Sequence, residues 1–197
     1  MEPQSTPQSP PTPSSADAAA ASAEAPAGGF AFWRASAAIF LVGFIVDHAT
    51  KFWAESDLKP VPGFPHESIV LIPGFFNLTY AENTGAAFSI MSGHPELLAL
   101  VSLAVSAMLG WFWYTLPAGE KWARGAIALI LSGAIGNVID RLVRGFVVDF
   151  FHAYWRDHHW PIFNVADSAI CVGAAIVVWR ELAGHLKPKP GPAAPAA

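Results

Sequence analysis

Residues 97–116 form an apolar stretch that contains no charged side chain and ends at Pro117. About 20 apolar residues in a helix span the hydrocarbon core of a bilayer, so this stretch has the length of a transmembrane helix. Only 13% of the whole chain is charged, whereas soluble domains are about 25% charged. The sequence therefore predicts a membrane protein, because it has too few charges to cover a soluble surface.

Three further apolar stretches resemble the first. We predict four transmembrane helices, at residues 30–54, 97–116, 122–142 and 164–182. Eight Trp and fourteen Phe suit a protein with aromatic anchors at the membrane interface. Four spans place both termini on one side. Six Lys and Arg residues fall on the side of the termini and five on the other side. The excess of positive charge expected on the cytoplasmic side therefore hardly orients the protein, and we place the termini in the cytoplasm.

The two ends of the chain differ in composition from its middle. Residues 1–29 are mostly Pro, Ala, Ser and Gly, cannot bury a core, and are expected to be disordered. They lack the basic start and apolar core of a signal peptide. We expect the same disorder for residues 185–197, which leaves residues 30–184 as one transmembrane domain. Cys171 is the single cysteine, which excludes an intrachain disulfide, and the net charge of −4 does not suggest nucleic-acid binding.

The segment between the first two predicted helices is rich in strand-forming residues. Residues 68–72 and 75–80 are two short β-rich runs separated by Pro73-Gly74, a turn signal. We expect a small sheet that lies on the membrane and continues into residues 82–88. Within that continuation, Gly85 permits an unusual backbone conformation or a close approach.

Several ionisable residues fall on one predicted side of the membrane. Charges in or near a bilayer are costly, so each of them is a functional candidate. Their clustering indicates a polar site at the outer membrane surface, fed by three helices and the loops between them. The members of this cluster are Asp47, Lys51, Asp140, Arg141, Asp149 and Asp167.

Some of these residues also have a purely structural interpretation. Asp47 and Lys51 are four positions apart on one helix face, and we expect them to fix the first helix. Asn137, Asp140 and Arg141 share one face of the third helix. Arg141 either pairs with a carboxylate and closes the helix end or takes part in the site, because intramembrane charges usually pair.

Asp149 and Asp167 are the candidate catalytic residues. Asn164 and Asp167 could simply cap the fourth helix, but capping does not explain Asp149, whose nearest cation in sequence is Arg144. Two carboxylates brought together can share one proton, so that one activates water while the other polarises a carbonyl group. A helix N-terminus would keep Asp167 ionised, and burial would raise the pKa of Asp149. We interpret the pair as the centre of an intramembrane aspartyl peptidase.

Other chemistries fit the sequence less well. His152, His158 and His159 cluster in the predicted loop at residues 143–161, but they lack the His-Glu-x-x-His spacing of many zinc peptidases. No serine lies in a nucleophile-elbow sequence. We therefore expect these histidines to be solvated loop residues.

Two other classes of membrane protein remain open. A proton-coupled carrier would also hold intramembrane carboxylates, but carriers tend to place them near the midplane, often with internal repeats and broken helices. Here the acids lie at helix ends, and no repeat is visible. A structural assembly subunit with a packed charge network is the third class. The substitutions Asp149→Asn and Asp167→Asn separate the three, because only an enzyme would lose turnover while remaining folded.

The chain is similar to the lipoprotein signal peptidase family, the bacterial signal peptidase II, over about residues 40–178. Four blocks in family order carry the similarity, and only the long N-terminal tail looks unlike typical members. The blocks are VDHATK at 46–51, NTGAAF at 83–88, GAIGNVIDR at 133–141 continuing to VVDF at 147–150, and FNVADSA at 163–169.

This resemblance implies a fold and an activity. The fold is an α-helical membrane protein with four transmembrane helices, a small β-sheet cradle and a short interfacial helix on the outer face. The activity is removal of the signal peptide from a prolipoprotein, by cleavage just before a cysteine that carries diacylglycerol. By motif match, Asp149 and Asp167 are the catalytic dyad. The matching or supporting site positions are Asp47, Lys51, Asn83, Gly85, Asn137, Asp140, Arg141 and Asn164.

The resemblance also implies partners and a location. The family uses no metal or cofactor and is blocked at its dyad by cyclic peptide antibiotics such as globomycin. We expect a monomer in the lipid bilayer of the bacterial cytoplasmic (inner) membrane, with its active site near the outer leaflet and no nucleic-acid partner.

Overall fold

The computed structural model describes residues 28–62, 68–85, 95–117 and 119–185. This part of the chain consists of four long helices and a small antiparallel sheet, which confirms the predicted mixture of elements. The helices are α1 (Gly28–Asp57), α2 (Pro95–Thr115), α3 (Lys121–Arg144) and α4 (Val165–His185). The strands are β1 (Ile69–Ile72), β2 (Phe76–Asn83), β3 (Val147–Trp155) and β4 (His158–His159). The two predicted tails fall largely outside the described residues.

Three helices in the described ranges are long and apolar enough to cross a membrane. They are Trp33–Asp57 within α1, Glu96–Thr115 within α2, and the whole of α3. Their outward faces carry large apolar side chains, such as Leu41 at 55% exposed and Trp111 at 70% exposed. A soluble protein buries such side chains, whereas lipid solvates them. The fourth predicted span, α4, is a helix but is not among these three, so its crossing of the membrane stays a prediction.

Helix α3 lies at the centre and packs against the other three helices. Small residues allow the closest approaches. A Cβ atom on Gly133 would lie 2.2 Å from the carbonyl oxygen of Ala166, and one on Gly173 would lie 2.6 Å from that of Ala126. In lipid the hydrophobic effect does not drive helices together. Small residues let the helix backbones approach closely enough to pack. This packing sets the start of α4 against the middle of α3.

The sheet has the order β1-β2-β3-β4, and neighbouring strands are antiparallel. The turn between β1 and β2 includes Gly74, whose φ of 75° is a conformation that glycine adopts without strain. A small core of Ala54, Leu58, Tyr80, Val148 and Phe150 joins the sheet to the end of α1. The sheet is thereby fixed beside the ends of α1 and α3.

The prediction of a loop over residues 143–161 was wrong. Helix α3 ends at Arg144 and is capped by Gly145, whose left-handed φ of 79° turns the chain and whose N–H donates to the Arg141 carbonyl. The chain then enters β3, which pairs with β2, and turns back through β4. The branched and aromatic residues of β3 favour a strand, and β2 supplies its hydrogen-bond partners. The short interfacial helix stays a prediction, because the described helices are all long and residues 86–94 lie outside the described ranges.

Candidate active site

Asp149 lies in β3 opposite Ala81 of β2 and is 1% exposed. Both of its carboxylate oxygens accept hydrogen bonds from amide side chains. Asn83 Nδ2 donates to Oδ2 at 2.9 Å, and Asn164 Nδ2 donates to Oδ1 at 2.7 Å. The sheet therefore presents this acid to the helices in a fixed orientation.

Asp167 lies in the first turn of α4, where it forms a reciprocal cap with Asn164. The Asp167 N–H donates to Asn164 Oδ1 at 2.9 Å, and the Asn164 N–H donates to Asp167 Oδ2 at 3.2 Å. This is the capping arrangement predicted from their spacing. Capping does not account for the other carboxylate oxygen, because Oδ1 accepts from Asn137 Nδ2 at 2.9 Å.

The two aspartates share one neighbour. The Asn164 side chain is fully buried and reaches Asp149 through its amide nitrogen while it accepts from the Asp167 backbone through its oxygen. Its Nδ2 also lies 3.3 Å from both Asn137 Oδ1 and the Val148 carbonyl oxygen. The structure thus brings together the two acids that the sequence singled out, across 18 positions of chain from β3 to α4.

The surroundings of Asp149 favour its protonated form. Burial raises the pKa of Asp149 to about 7, and the negative charge of Asp167 adds to this effect. The amide of Asn83, the charge of Lys51 and the amide of Asn164 act in the opposite direction. The direction agrees with the prediction that burial would raise the pKa of Asp149.

Lys51 is the centre of a buried charge cluster beside the two acids. Its Nζ lies 2.8 Å from Asp47 Oδ2, 2.8 Å from Asp140 Oδ2 and 2.8 Å from Asn137 Oδ1. Lys51, Asp47 and Asp140 are all 0% exposed. Because an ammonium can only donate, it fixes the amide oxygen of Asn137 toward itself and directs Nδ2 toward Asp167. A buried cation therefore sets how Asp167 is bonded.

Asp47 connects α1 to the start of α4. Its Oδ1 accepts the N–H of Ala166 at 2.9 Å, one of the backbone groups that the first turn leaves without a helical partner. Gly136 makes room for this carboxylate, since a Cβ atom there would lie 2.5 Å from Asp47 Oδ2. The expectation that Asp47 and Lys51 simply fix the first helix was too narrow. They also hold the turn that carries Asp167.

Of the two interpretations left open for Arg141, pairing with a carboxylate is not seen among the described residues. Arg141 donates to two backbone carbonyls, those of Asn137 at 3.3 Å and Gly85 at 2.9 Å. Arg144 is the residue that pairs with Asp140, and it also reaches Glu55 Oε2 at 3.1 Å. Positions i and i+4 face one another on a helix, whereas adjacent positions do not. That spacing between Asp140 and Arg144 was the signal the sequence reasoning missed.

Gly85 supports the site through its peptide groups. Its N–H donates to Asn83 Oδ1 at 3.0 Å, which leaves Asn83 Nδ2 pointing at Asp149, and its carbonyl receives Arg141.

The three histidines of the β3–β4 hairpin do not converge on one point. His152 Nε2 lies 3.0 Å from His159 Nδ1, whereas His158 pairs with Trp155 in the strand register. Within the described residues no three His, Cys, Asp or Glu side chains are grouped as they would be to hold a metal ion. The polar side chains around Asp149 and Asp167 are carboxylates, amides, the buried Lys51 and the half-buried Arg141. Such a pair of acids is suited to general acid–base chemistry.

Comparison with known proteins identifies the family of this chain. The sequence profile of the family described as Signal peptidase (SPase) II matches residues 39–183. A lipoprotein signal peptidase of Vibrio vulnificus (strain CMCP6) is 42% identical over 142 residues, which are 70% of this chain and 82% of that protein. One from Geobacter metallireducens (strain ATCC 53774 / DSM 7210 / GS-15) is 40% identical over 149 residues, which are 74% of this chain and 88% of that protein.

The structure also has a solved relative. A bacterial membrane enzyme determined by the in meso method at 2.3 Å resolution matches with a TM-score of 0.68 and 29% identity, covering 80% of this chain and 94% of its own. These similarities confirm the family resemblance seen in the four sequence blocks. This chain belongs to the signal peptidase II family of bacterial membrane peptidases.

Proposed function

We propose that this protein is an aspartyl endopeptidase that removes the signal peptide from diacylglyceryl-modified prolipoproteins. It cleaves just before the lipidated cysteine. The observation that carries the proposal is the bridge of Asn164 between Asp149 and Asp167. The name lipoprotein signal peptidase of the Vibrio and Geobacter relatives supports the substrate class.

The two acids have different roles because their surroundings differ. Asp167 accepts hydrogen bonds from the side-chain amide of Asn137 and from the backbone N–H of Asn164. It acts as the general base and takes a proton from water. Burial raises the pKa of Asp149 to about 7, so its protonated form is present near neutral pH and donates the proton toward the oxygen of the scissile carbonyl. These are the two halves of a general acid–base mechanism.

The reaction then proceeds in two stages. In the first, the water oxygen bonds to the carbonyl carbon, its proton passes to Asp167, and the carbonyl oxygen takes the proton of Asp149. In the second, the carbon–nitrogen bond breaks, Asp167 gives its proton to the leaving amine, and the hydroxyl proton returns to Asp149. Both acids end as they began, so the cycle needs no cofactor or metal.

The substrate has to present an extended backbone, because a helical signal peptide keeps its peptide groups bonded internally. Asn83 and Arg141 lie beside the dyad and have side chains that can bind backbone groups. Arg141 Nε is buried without a hydrogen-bond partner in the described part of the chain. We propose that these residues hold the peptide around the scissile bond while the sheet covers it. Cyclic peptides such as globomycin would compete there.

The proposal includes an arrangement in the membrane. Helix α4 is the fourth span, both termini are cytoplasmic, and the dyad lies near the outer leaflet of the inner membrane. Exposed apolar residues on α4, such as Val172 at 52% and Trp179 at 73%, support contact with lipid. A site at this depth suits a substrate whose diacylated cysteine is anchored in the bilayer. The enzyme acts as a monomer.

Cleavage of a defined peptide tests the proposal. The purified protein in detergent is incubated with a prolipoprotein peptide carrying a diacylglyceryl cysteine, or with the same peptide carrying an unmodified cysteine, and a chelator is present throughout. Mass spectrometry should find cleavage immediately before the lipidated cysteine and none in the unmodified peptide. If folded protein cleaves neither peptide, the proposal fails, and proton-coupled uptake into vesicles would then identify a carrier.

A further inference from the structure

The β3–β4 hairpin holds a pair of histidines that the peptidase chemistry does not use. Nε2 of His152 and Nδ1 of His159 are hydrogen-bonded at 3.0 Å, and their rings meet edge to edge with planes 26° apart. His152 is half-buried and His159 is exposed. His152 is three positions after Asp149, and side chains alternate along a strand, so the pair lies on the opposite face of β3 from the dyad.

A metal ion bound by both nitrogens would replace the hydrogen bond between them, and their distance also lies within the range for two ligands of one ion. Imidazole nitrogens bind zinc at about 2.0–2.1 Å, and bond angles between right and tetrahedral put two such ligands about 2.9–3.4 Å apart. Imidazole is a preferred ligand of zinc, copper and nickel. We propose that His152 and His159 form a surface site for a divalent ion of this late transition-metal class.

Contacts within the hairpin hold the two rings in place before an ion binds. Tyr154 pairs with His159 in the strand register and its ring lies 5.3 Å from that of His152 and 5.6 Å from that of His159. The Tyr154 hydroxyl donates to Asn77 Oδ1 at 3.3 Å, which ties the ring to β2. Holding ligands in place before binding reduces the conformational cost of binding.

The pair supplies two protein ligands, and an imidazole nitrogen binds a metal only when it carries no proton. No third His, Cys, Asp or Glu joins the pair in the described ranges. Water would therefore fill the remaining coordination positions, and we expect binding to be reversible and lost on acidification.

Calorimetric titration of the full-length, tag-free protein with zinc chloride or nickel chloride tests the site. Removal of the affinity tag and of bound metal by a chelator is essential. The wild type should bind one ion per chain at this site, and both His152→Asn and His159→Asn should lower the affinity at least about tenfold, because each removes one of two protein ligands. The measurement contains no peptide substrate, so its result does not depend on peptidase activity.

His158→Asn is the matched control. His158 neighbours His159 but alternates to the other face of its strand, so its loss should leave affinity unchanged. Thermal unfolding of each variant without metal establishes that the hairpin is intact. Equal binding by wild type, His152→Asn and His159→Asn would overturn the proposal, as would no binding by the wild type up to millimolar metal.

Discussion

The Nδ2 atom of Asn164 lies 2.7 Å from Oδ1 of Asp149, while the oxygen of the same amide caps the helix that carries Asp167. One fully buried side chain therefore orients both acids. A change at this position alters helix capping and dyad geometry together, and suitable variants can separate the two effects.

Asn164→Ser should keep the fold and lose most of the activity. A serine oxygen can cap α4, but its side chain is too short to donate to Asp149. Asn164→Ala loses both contacts, and loss of a cap costs about 1 kcal/mol. We expect Asn164→Ala to be less stable than Asn164→Ser by about that amount, and both to lose turnover. Thermal unfolding and peptide cleavage measure the two quantities. Wild-type turnover in Asn164→Ser would show that the Asp149 contact is dispensable.

Gly136→Ala should destabilise the protein and disturb the lysine cluster. The added Cβ atom would lie 2.5 Å from Asp47 Oδ2, so this buried carboxylate has to move away from Lys51. Forcing extra atoms into a packed interior costs about 1–3 kcal/mol. The free energy of unfolding in detergent measures this loss.

Gly125→Ala is the matched control on the same helix. Its Cβ atom would lie 3.5 Å from Ile39 Cδ1, an ordinary contact, and alanine favours a helix by about 0.5–1 kcal/mol over glycine. We expect this variant to be as stable as the wild type or slightly more so. Equal losses in both variants would mean that the crowding at Asp47 has no special importance.

Lys51→Met should be among the most destabilising single changes. It leaves Asp47 and Asp140 buried without their shared cation, and breaking a buried ion pair from one side costs about 3–5 kcal/mol. Asp140 keeps Arg144 as a second partner, so adding Asp47→Asn, which removes the charge left without a Lys or Arg partner, should restore part of the stability. Activity should stay low in the double variant, because Asn137 still lacks the donor that directs it to Asp167. Recovery of activity along with stability would contradict this positioning role.

Asp149 should make stability depend on pH. Its pKa rises from 3.8 to about 7 on folding, so between these values the unfolded chain has lost the proton that the folded chain retains. Wild-type stability should therefore fall relative to Asp149→Asn as the pH rises toward about 7, and then level off. One pKa unit corresponds to about 1.4 kcal/mol, so the difference should change by on the order of 3 kcal/mol between about pH 5 and about pH 8. A constant difference would indicate an ordinary carboxyl group.

The helices and the acids were predictable from the sequence because each has a local signal. Long uncharged stretches mark helices by composition alone, and the cap formed by Asn164 and Asp167 follows from a spacing of three. The full extent of the sheet was harder to predict. Residues 147–155 looked like a loop because their pairing partner, β2, lies far away in the chain. A strand's hydrogen bonds are not encoded within the strand itself.

The partners of the buried charges were also beyond a sequence argument. Lys51 contacts Asn137 across 86 positions, and Asp47 reaches the backbone of Ala166 across 119. Such contacts depend on how closely the helices approach, which Gly133 and Gly136 decide. The Asp140–Arg144 pair was different, because its i, i+4 spacing can be read directly from the sequence.

Turnover by Asp149→Asn and Asp167→Asn, measured on the lipidated peptide beside the wild type, tests the central claim most directly. Thermal unfolding shows that each variant is folded, and a binding measurement shows that it still binds the lipidated peptide. Both variants should bind the peptide and lose about 10²–10⁴-fold or more in turnover, because each lacks one half of the acid–base pair. A folded variant of either kind that retains more than about a tenth of wild-type turnover would contradict the two-aspartate mechanism.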